Sequence, residues 1–277
     1  MKKKYGVLLV DVIESRKYKE SRKLQQILQR SMECLNKIYK KYLLSEVTFE
    51  AGDSVQGLFS ESAAAFLYYR MLGLLVYPIQ IRGAIGYGEI DYYDRALQTN
   101  ALNGEAYHFA REGLKQIHLK EMMMRCIYIS KKESDKYVNL LLESQRFVQR
   151  YQNSSAWLIS LVTEMLSPIQ QDIILDYENE WADIKEIVKI GERHINCLAE
   201  GLNNKQGINV QETLKELKES QIWEDDSFTP RGLQNVVAEA VEVSRQNISK
   251  HFMQTIRSER KYTAAIINEL KKMEGNG

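Results

Sequence analysis

Every stretch of this 277-residue chain that reads as a β-strand falls before about Lys131. Residues 5–12 form an apolar run rich in valine and leucine, the pattern of a buried strand. From Leu24 onward the apolar residues Ile27, Leu28, Met32, Leu35, Ile38 and Tyr42 recur at helical spacing. Residues 47–49 and 55–59 flank the turn sequence Ala51-Gly52-Asp53-Ser54, which predicts a hairpin. A nearly all-apolar helix follows over 62–76, so a well-buried one is expected. Then come a strand over 79–90, a helix over 103–117 and a last strand over 125–130. After that the strand signal stops. From Tyr137 the residues Leu140, Leu141, Phe147, Val148 and Tyr151 have helical spacing, and all three tryptophans (Trp157, Trp181, Trp223) lie in this second half. The expectation is α+β for residues 1–131, connecting helices over 132–165 and an all-helical region over 166–277.

The balance of 38 basic and 37 acidic residues leaves a net charge of +1, so no whole-protein field draws the chain to nucleic acid. Three widely spaced cysteines, Cys34, Cys126 and Cys197, make no metal motif and suggest a reducing compartment. No apolar run has the length of a signal peptide or a membrane span, so a soluble, cytoplasmic protein with no membrane partner is expected.

The region 237–251 has the pattern of a helix-turn-helix. Val237, Val241 and Val243 are expected as buried apolar positions, and Ala238 is small enough for a second helix to cross closely. Ser244 suits the N-cap of that helix. Arg245, Gln246, Asn247, Ser249 and Lys250 crowd its first turns, where recognition helices carry groups for phosphates and base edges. Residues 244–262 hold five basic side chains against one acidic, a local basic stripe. Residues 184–191 align without gaps to 237–244, and Ile195 falls on Ile248. Each copy follows a helix-start signal, Leu166-Ser167-Pro168 and Phe228-Thr229-Pro230. Tandem helix-turn-helix units are the expectation. The alternative is ordinary helix hairpins in a bundle with a solvated charged face.

A second constellation lies in the first half. Asp11 ends the first strand, and Asp53 follows Gly52 in the hairpin turn. If the hairpin lies beside that strand, both carboxylates project from one edge of the sheet, an arrangement that suits Mg²⁺ or Mn²⁺ bridging nucleotide phosphates. The helix opened by Gly104 carries His108 and Arg111, with Lys115 one turn on, a stripe fit to stabilise phosphate charge. The competing reading is a common Gly-Asp turn, a capping aspartate and surface cations.

Four segments in order carry a resemblance: Leu8-Leu9-Val10-Asp11-Val12-Ile13-Glu14-Ser15-Arg16, Ala51-Gly52-Asp53-Ser54-Val55-Gln56-Gly57-Leu58-Phe59, Ile81-Arg82-Gly83-Ala84-Ile85-Gly86-Tyr87-Gly88-Glu89-Ile90 and Asn103-Gly104-Glu105-Ala106-Tyr107-His108-Phe109-Ala110-Arg111. Together they resemble the SatD family. That family is in turn similar to class III nucleotidyl cyclase and GGDEF domains, with a ferredoxin-like palm, and tends to end in a helix-turn-helix. The resemblance implies metal-binding roles for Asp11 and Asp53. It implies nucleotide or phosphate binding by Gly52, Gly104, His108 and Arg111. It also marks departures: Phe49 and Ala101 stand where cyclases have base-selecting polar groups, and Ser54 replaces the glutamate of Gly-Gly-Asp-Glu-Phe.

The function expected from these readings is that of a transcriptional regulator that binds DNA as a homodimer, with a cyclase-like, nucleotide-sensing N-terminal domain. The rival expectation is an enzyme, a divergent nucleotidyl cyclase or nucleotidyltransferase with a helical partner-binding tail.

Overall fold

The computed structural model describes residues 3–18, 21–91, 103–119, 125–170, 180–190, 208–209, 229 and 232–275. The first strand β1 (Lys4–Val12) leads through a 3₁₀ turn (Ser15–Lys17) into α1 (Ser21–Ile38). A hairpin of β2 (Leu43–Ala51) and β3 (Ser54–Phe59) follows, then α2 (Ser62–Val76), β4 (Ile81–Glu89), α3 (Glu105–Leu119) and β5 (Cys126–Ile129). The strands form one sheet in the order β2-β3-β1-β4-β5. The pairs within β2-β3-β1-β4 are antiparallel, and β5 is added parallel to β4.

The pleat sorts β1 between two layers. Leu8, Val10 and Val12 face a large core with Leu28 and Leu35 of α1 and Phe66 and Leu72 of α2. Val7 and Leu9 face the other way, onto Ala106, Tyr107 and Ala110 of α3. The α3 helix lies close on β4 because Gly86 has no side chain there; a Cβ would stand 2.1 Å from the Ala106 carbonyl oxygen. Gly104 opens α3 at φ 141°, a conformation side-chain-bearing residues rarely adopt.

The second half continues with α4 (Asp135–Gln149), α5 (Ser154–Leu166), β6 (Ile169–Gln170), α6 (Trp181–Ile190), β7 (Ile208–Asn209), α7 (Leu233–Ala240) and α8 (Arg245–His251). A π-helical turn (Phe252–Ile256) joins α8 to α9 (Arg257–Gly275). The expectation of a strand-free second half misses the parallel β6–β7 ladder; strands of two residues carry no periodicity to read. The Ser167-Pro168 pair ends α5 instead of starting a helix. Ser167 is its C-cap, at φ −145° and ψ 71°, because the residue before proline is pushed out of the α region. The N-cap of α7 is Gly232, not Thr229. Of the first repeat, α6 forms, but it buries Ile184, Ile187 and Val188 in the large core beside α1 and α2. Its expected second helix lies outside the described residues.

The last helix completes the core of the sheet unit. Ala264, Ile266, Ile267, Leu270 and Met273 of α9 join the same cluster as β1, α1 and α2. A buried ionic network ties these layers. Arg70 of α2 donates from Nε and Nη2 to the Glu259 carboxylate, both at 2.8 Å, and its Nη1 pairs with Glu164 of α5 at 2.8 Å. Arg260 donates to Glu164 at 2.9 Å and to the Ser167 carbonyl at 2.7 Å. Burial would raise the Glu259 carboxyl, but Arg70, Arg260 and the hydrogen bonds from Arg70 and Thr263 together outweigh burial and hold it below the ordinary range. Among the described residues no helix is long and apolar enough to cross a membrane.

Candidate functional site

Asp11 and Arg82 stand opposite each other in the β1–β4 register, and Val10 stands opposite Val55 in the β1–β3 register. The hairpin turn therefore sits beside the end of β1, with Gly52 at φ 63° within it. Ser54 Oγ donates to Asp11 Oδ1 at 3.4 Å, which brings the Asp53 segment to the same sheet end as Asp11. The other Asp11 oxygen is already engaged. Arg82 donates to Oδ2 from Nε at 3.0 Å and from Nη2 at 2.7 Å, and His118 Nε2 lies 3.2 Å away. A Mg²⁺ or Mn²⁺ ion at Asp11 thus competes with a guanidinium that already neutralises the carboxylate, and in this arrangement the residues around Asp11 do not fit a metal ion.

The cations of α3 form one row along its exposed side: His108, Arg111, Lys115 and His118. Arg111 lies 3.7 Å from Glu50 of β2. His118, not His108, is the histidine that reaches Asp11. Sequence reading missed Arg82, His118 and Ser54 as members of this cluster. The spacing 108-111-115-118 carried the signal for His118. Phe49 packs against the large core, and Ala101 lies outside the described residues.

A second carboxylate cluster, Cys34, Glu180 and Asp183, has ligand atoms close enough to surround an ion. Lys37 fills that role instead, donating to Asp183 at 2.8 Å and to Glu180 at 3.3 Å. Burial, then the neighbouring acids, pushes the Cys34 thiol up to about 12, so it stays protonated and is a poor metal ligand.

In the C-terminal region α7 and α8 are joined by the turn 241–244. Val237, Ala238, Val241, Ile248, Phe252 and Ile256 form a buried seam with Ile159, Val162 and Leu166 of α5. The Ser244 hydroxyl caps α8 by accepting from the Asn247 amide at 3.3 Å. Arg245, Gln246, Asn247 and Lys250 are exposed, and Ser249 is half-buried. Val243, expected in the core, is 36% exposed, because the turn carries it past the seam. Glu259 and Arg260 are buried in the ionic network, which leaves Arg245, Lys250, Arg257 and Lys261 as the stripe with its net charge unchanged.

The model of the SatD family matches residues 5–226. The chain belongs to the SatD family. The match spans the sheet unit and the first helices after it, so in this SatD-family chain α7, α8 and α9 lie beyond the matched residues. A search of curated proteins finds no match to the SatD-family chain.

Proposed function

We propose that this SatD-family protein is a DNA-binding regulator whose sheet unit senses an anionic, nucleotide-like ligand. The observation that carries the proposal is the capped, exposed start of α8. Arg245, Gln246, Asn247 and Lys250 project from a helix held at a fixed angle by the apolar seam with α7 and α5. A helix end so fixed, with guanidinium, amide and ammonium groups free of the core, suits a major groove.

For the sheet unit, the strand order β2-β3-β1-β4 is that of a ferredoxin-like palm, which supports the cyclase-like reading. Three features favour sensing over turnover. Arg82 holds the carboxylate that would receive metal, Phe49 is spent on the core, and the α3 row offers His108, Arg111 and Lys115 to phosphate instead. A homodimer fits the exposed apolar row on α4 and the turn after it, where Tyr137, Leu140 and Phe147, then Tyr151, stand at heptad spacing. Paired units then read two half-sites.

The test is selection of genomic fragments by the full chain, beside a variant carrying Arg245→Ala, Gln246→Ala and Asn247→Ala. Enrichment of a defined sequence by the wild type alone supports the proposal. Equal, unselective recovery by both contradicts it. Incubation with ATP or GTP and Mn²⁺ distinguishes sensor from enzyme: a cyclic mononucleotide or dinucleotide product that disappears in Asp11→Asn would establish catalysis.

A further inference from the structure

On the sheet face opposite the Asp11 cluster, a narrow cleft open to solvent lies between α2, the starts of β4 and β5, α4 and α5. Its walls include Phe66, Ile79 and Trp157, and Trp157 is stacked on Tyr77 with ring centroids 4.9 Å apart. Three arginines line it: Arg70, whose charge is spent on Glu164 and Glu259, and Arg125 and Arg146. The Nε of Arg146 is buried and has no hydrogen-bond partner. Among the described residues no carboxylate pairs with the guanidinium of Arg125 or of Arg146. The buried acids Glu164 and Glu259 are committed to Arg70 and Arg260. Gln145, also in the wall, spends its amide on Glu259 and Thr263 at 2.9 and 2.7 Å. Tyr69 donates its hydroxyl to the Arg125 carbonyl at 2.7 Å, which fixes the backbone at the head of β5.

An arginine cannot escape this setting by losing its proton. Burial, and then the positive charge of Arg125, make the charged form of Arg146 less favourable than usual. A half-buried cation beside a second cation, with an orphaned donor, is costly unless an anion completes it. Guanidinium groups bind planar or tetrahedral oxyanions through paired N–H donors.

We propose that this cleft is an oxyanion site, held by Arg146 and Arg125 and built for a phosphate group, either free or carried on an organic body that lies against Trp157. The site is separate from the α3 row and does not depend on the reading of that row as a nucleotide sensor.

Calorimetry and thermal melting of the full chain in phosphate-free buffer, with added orthophosphate and with added adenosine 5′-monophosphate, test it. Wild type is expected to show saturable binding and a raised melting temperature. Arg146→Met is expected to bind at least about tenfold more weakly, the loss of one charge-assisted hydrogen bond. It should also melt no lower than wild type without anion, because it removes an uncompensated charge. Should Arg146→Met fail to fold, Arg125→Met carries the same comparison. Equal affinity for both probes identifies a free anion. At least about tenfold tighter nucleotide binding, weakened by Trp157→Ala, identifies a carried one. No binding of either probe at millimolar concentration, or undiminished binding in the arginine variants, overturns the proposal.

Discussion

At Asp11 the position of one neighbour decides what the carboxylate does. Arg82 grips it with two N–H groups, 18% and 13% of the respective side chains remaining exposed. If that grip excludes metal, Arg82→Gln should tighten Mn²⁺ binding by at least about tenfold in calorimetry, whereas unchanged affinity would show that the pair is no guard. A second residue-level consequence is set by Glu274. Burial, with Glu61 adding to it, raises its carboxyl from 4.5 to about 7, against hydrogen bonds from Ser62 that lower it. Between those values the folded chain holds a proton that the unfolded chain has released, so stability falls as pH rises through this window. The loss reaches about 3 kcal/mol at most. Glu274→Gln should remove it, and the melting temperature of the variant relative to wild type should climb from pH 5 to pH 8. A flat difference would contradict the assignment. Asp11, Asp53 and the α3 cations were legible as residue types in the sequence. Arg82 and His118 were not legible as the partners of Asp11, because that pairing is set by cross-strand register and by how α3 crosses the sheet.

Among the elements, the helices and strands of the first half follow from local pattern. The helix expected over 62–76 coincides with α2, and each expected strand contains or overlaps an observed one. In these segments apolar period and burial point the same way. The α4 helix shows where they part. Its apolar residues are spaced as a helix, yet Leu140 is 60% and Phe147 49% exposed while Val138, Leu142 and Gln145 are buried. A single sequence cannot separate a row that meets the chain's own core from one that meets another chain. The double substitution Leu140→Glu and Phe147→Glu should convert a dimer to a monomer in light scattering after size-exclusion chromatography. Stability of the fold should change by less than about 1 kcal/mol, as is usual for exposed positions. An unchanged mass would remove α4 from the dimer interface.

For the whole molecule, the decisive feature is the path of the chain's last helical segments. From Arg245 the chain runs as helix through the π-helical turn to Gly275, with its start exposed beside α7 and its end in the core of the sheet unit. Glu259 and Arg260 anchor it midway to Arg70 and Glu164. These partners lie 189 and 96 positions apart in the chain, and no local pattern carries the coupling. A chain ending at Ile256 loses these ion pairs and the α9 contribution to the core. It leaves Arg70 and Glu164 as buried charges, each short of a partner. Such a chain should lose its cooperative melting transition, while the full chain should unfold in one transition by circular dichroism and tryptophan fluorescence alike. Retained cooperative melting of the truncated chain would show that the sheet unit stands without α9.

The same path lets DNA recognition be tested without disturbing the fold, because the exposed start of α8 can be altered far from the α9 core. The measurement is a fluorescence titration of a selected DNA fragment and of a scrambled one, at two salt concentrations. Wild type is compared with Arg245→Ala, Asn247→Ala and Lys250→Ala. If α8 enters a major groove, Arg245→Ala or Asn247→Ala costs about 1–3 kcal/mol on the selected fragment and narrows its advantage over the scrambled one. Lys250→Ala weakens both fragments alike and lowers the salt slope by about one. Affinities that are equal across wild type and all three variants, or no difference between the fragments for wild type, would contradict DNA recognition by this helix.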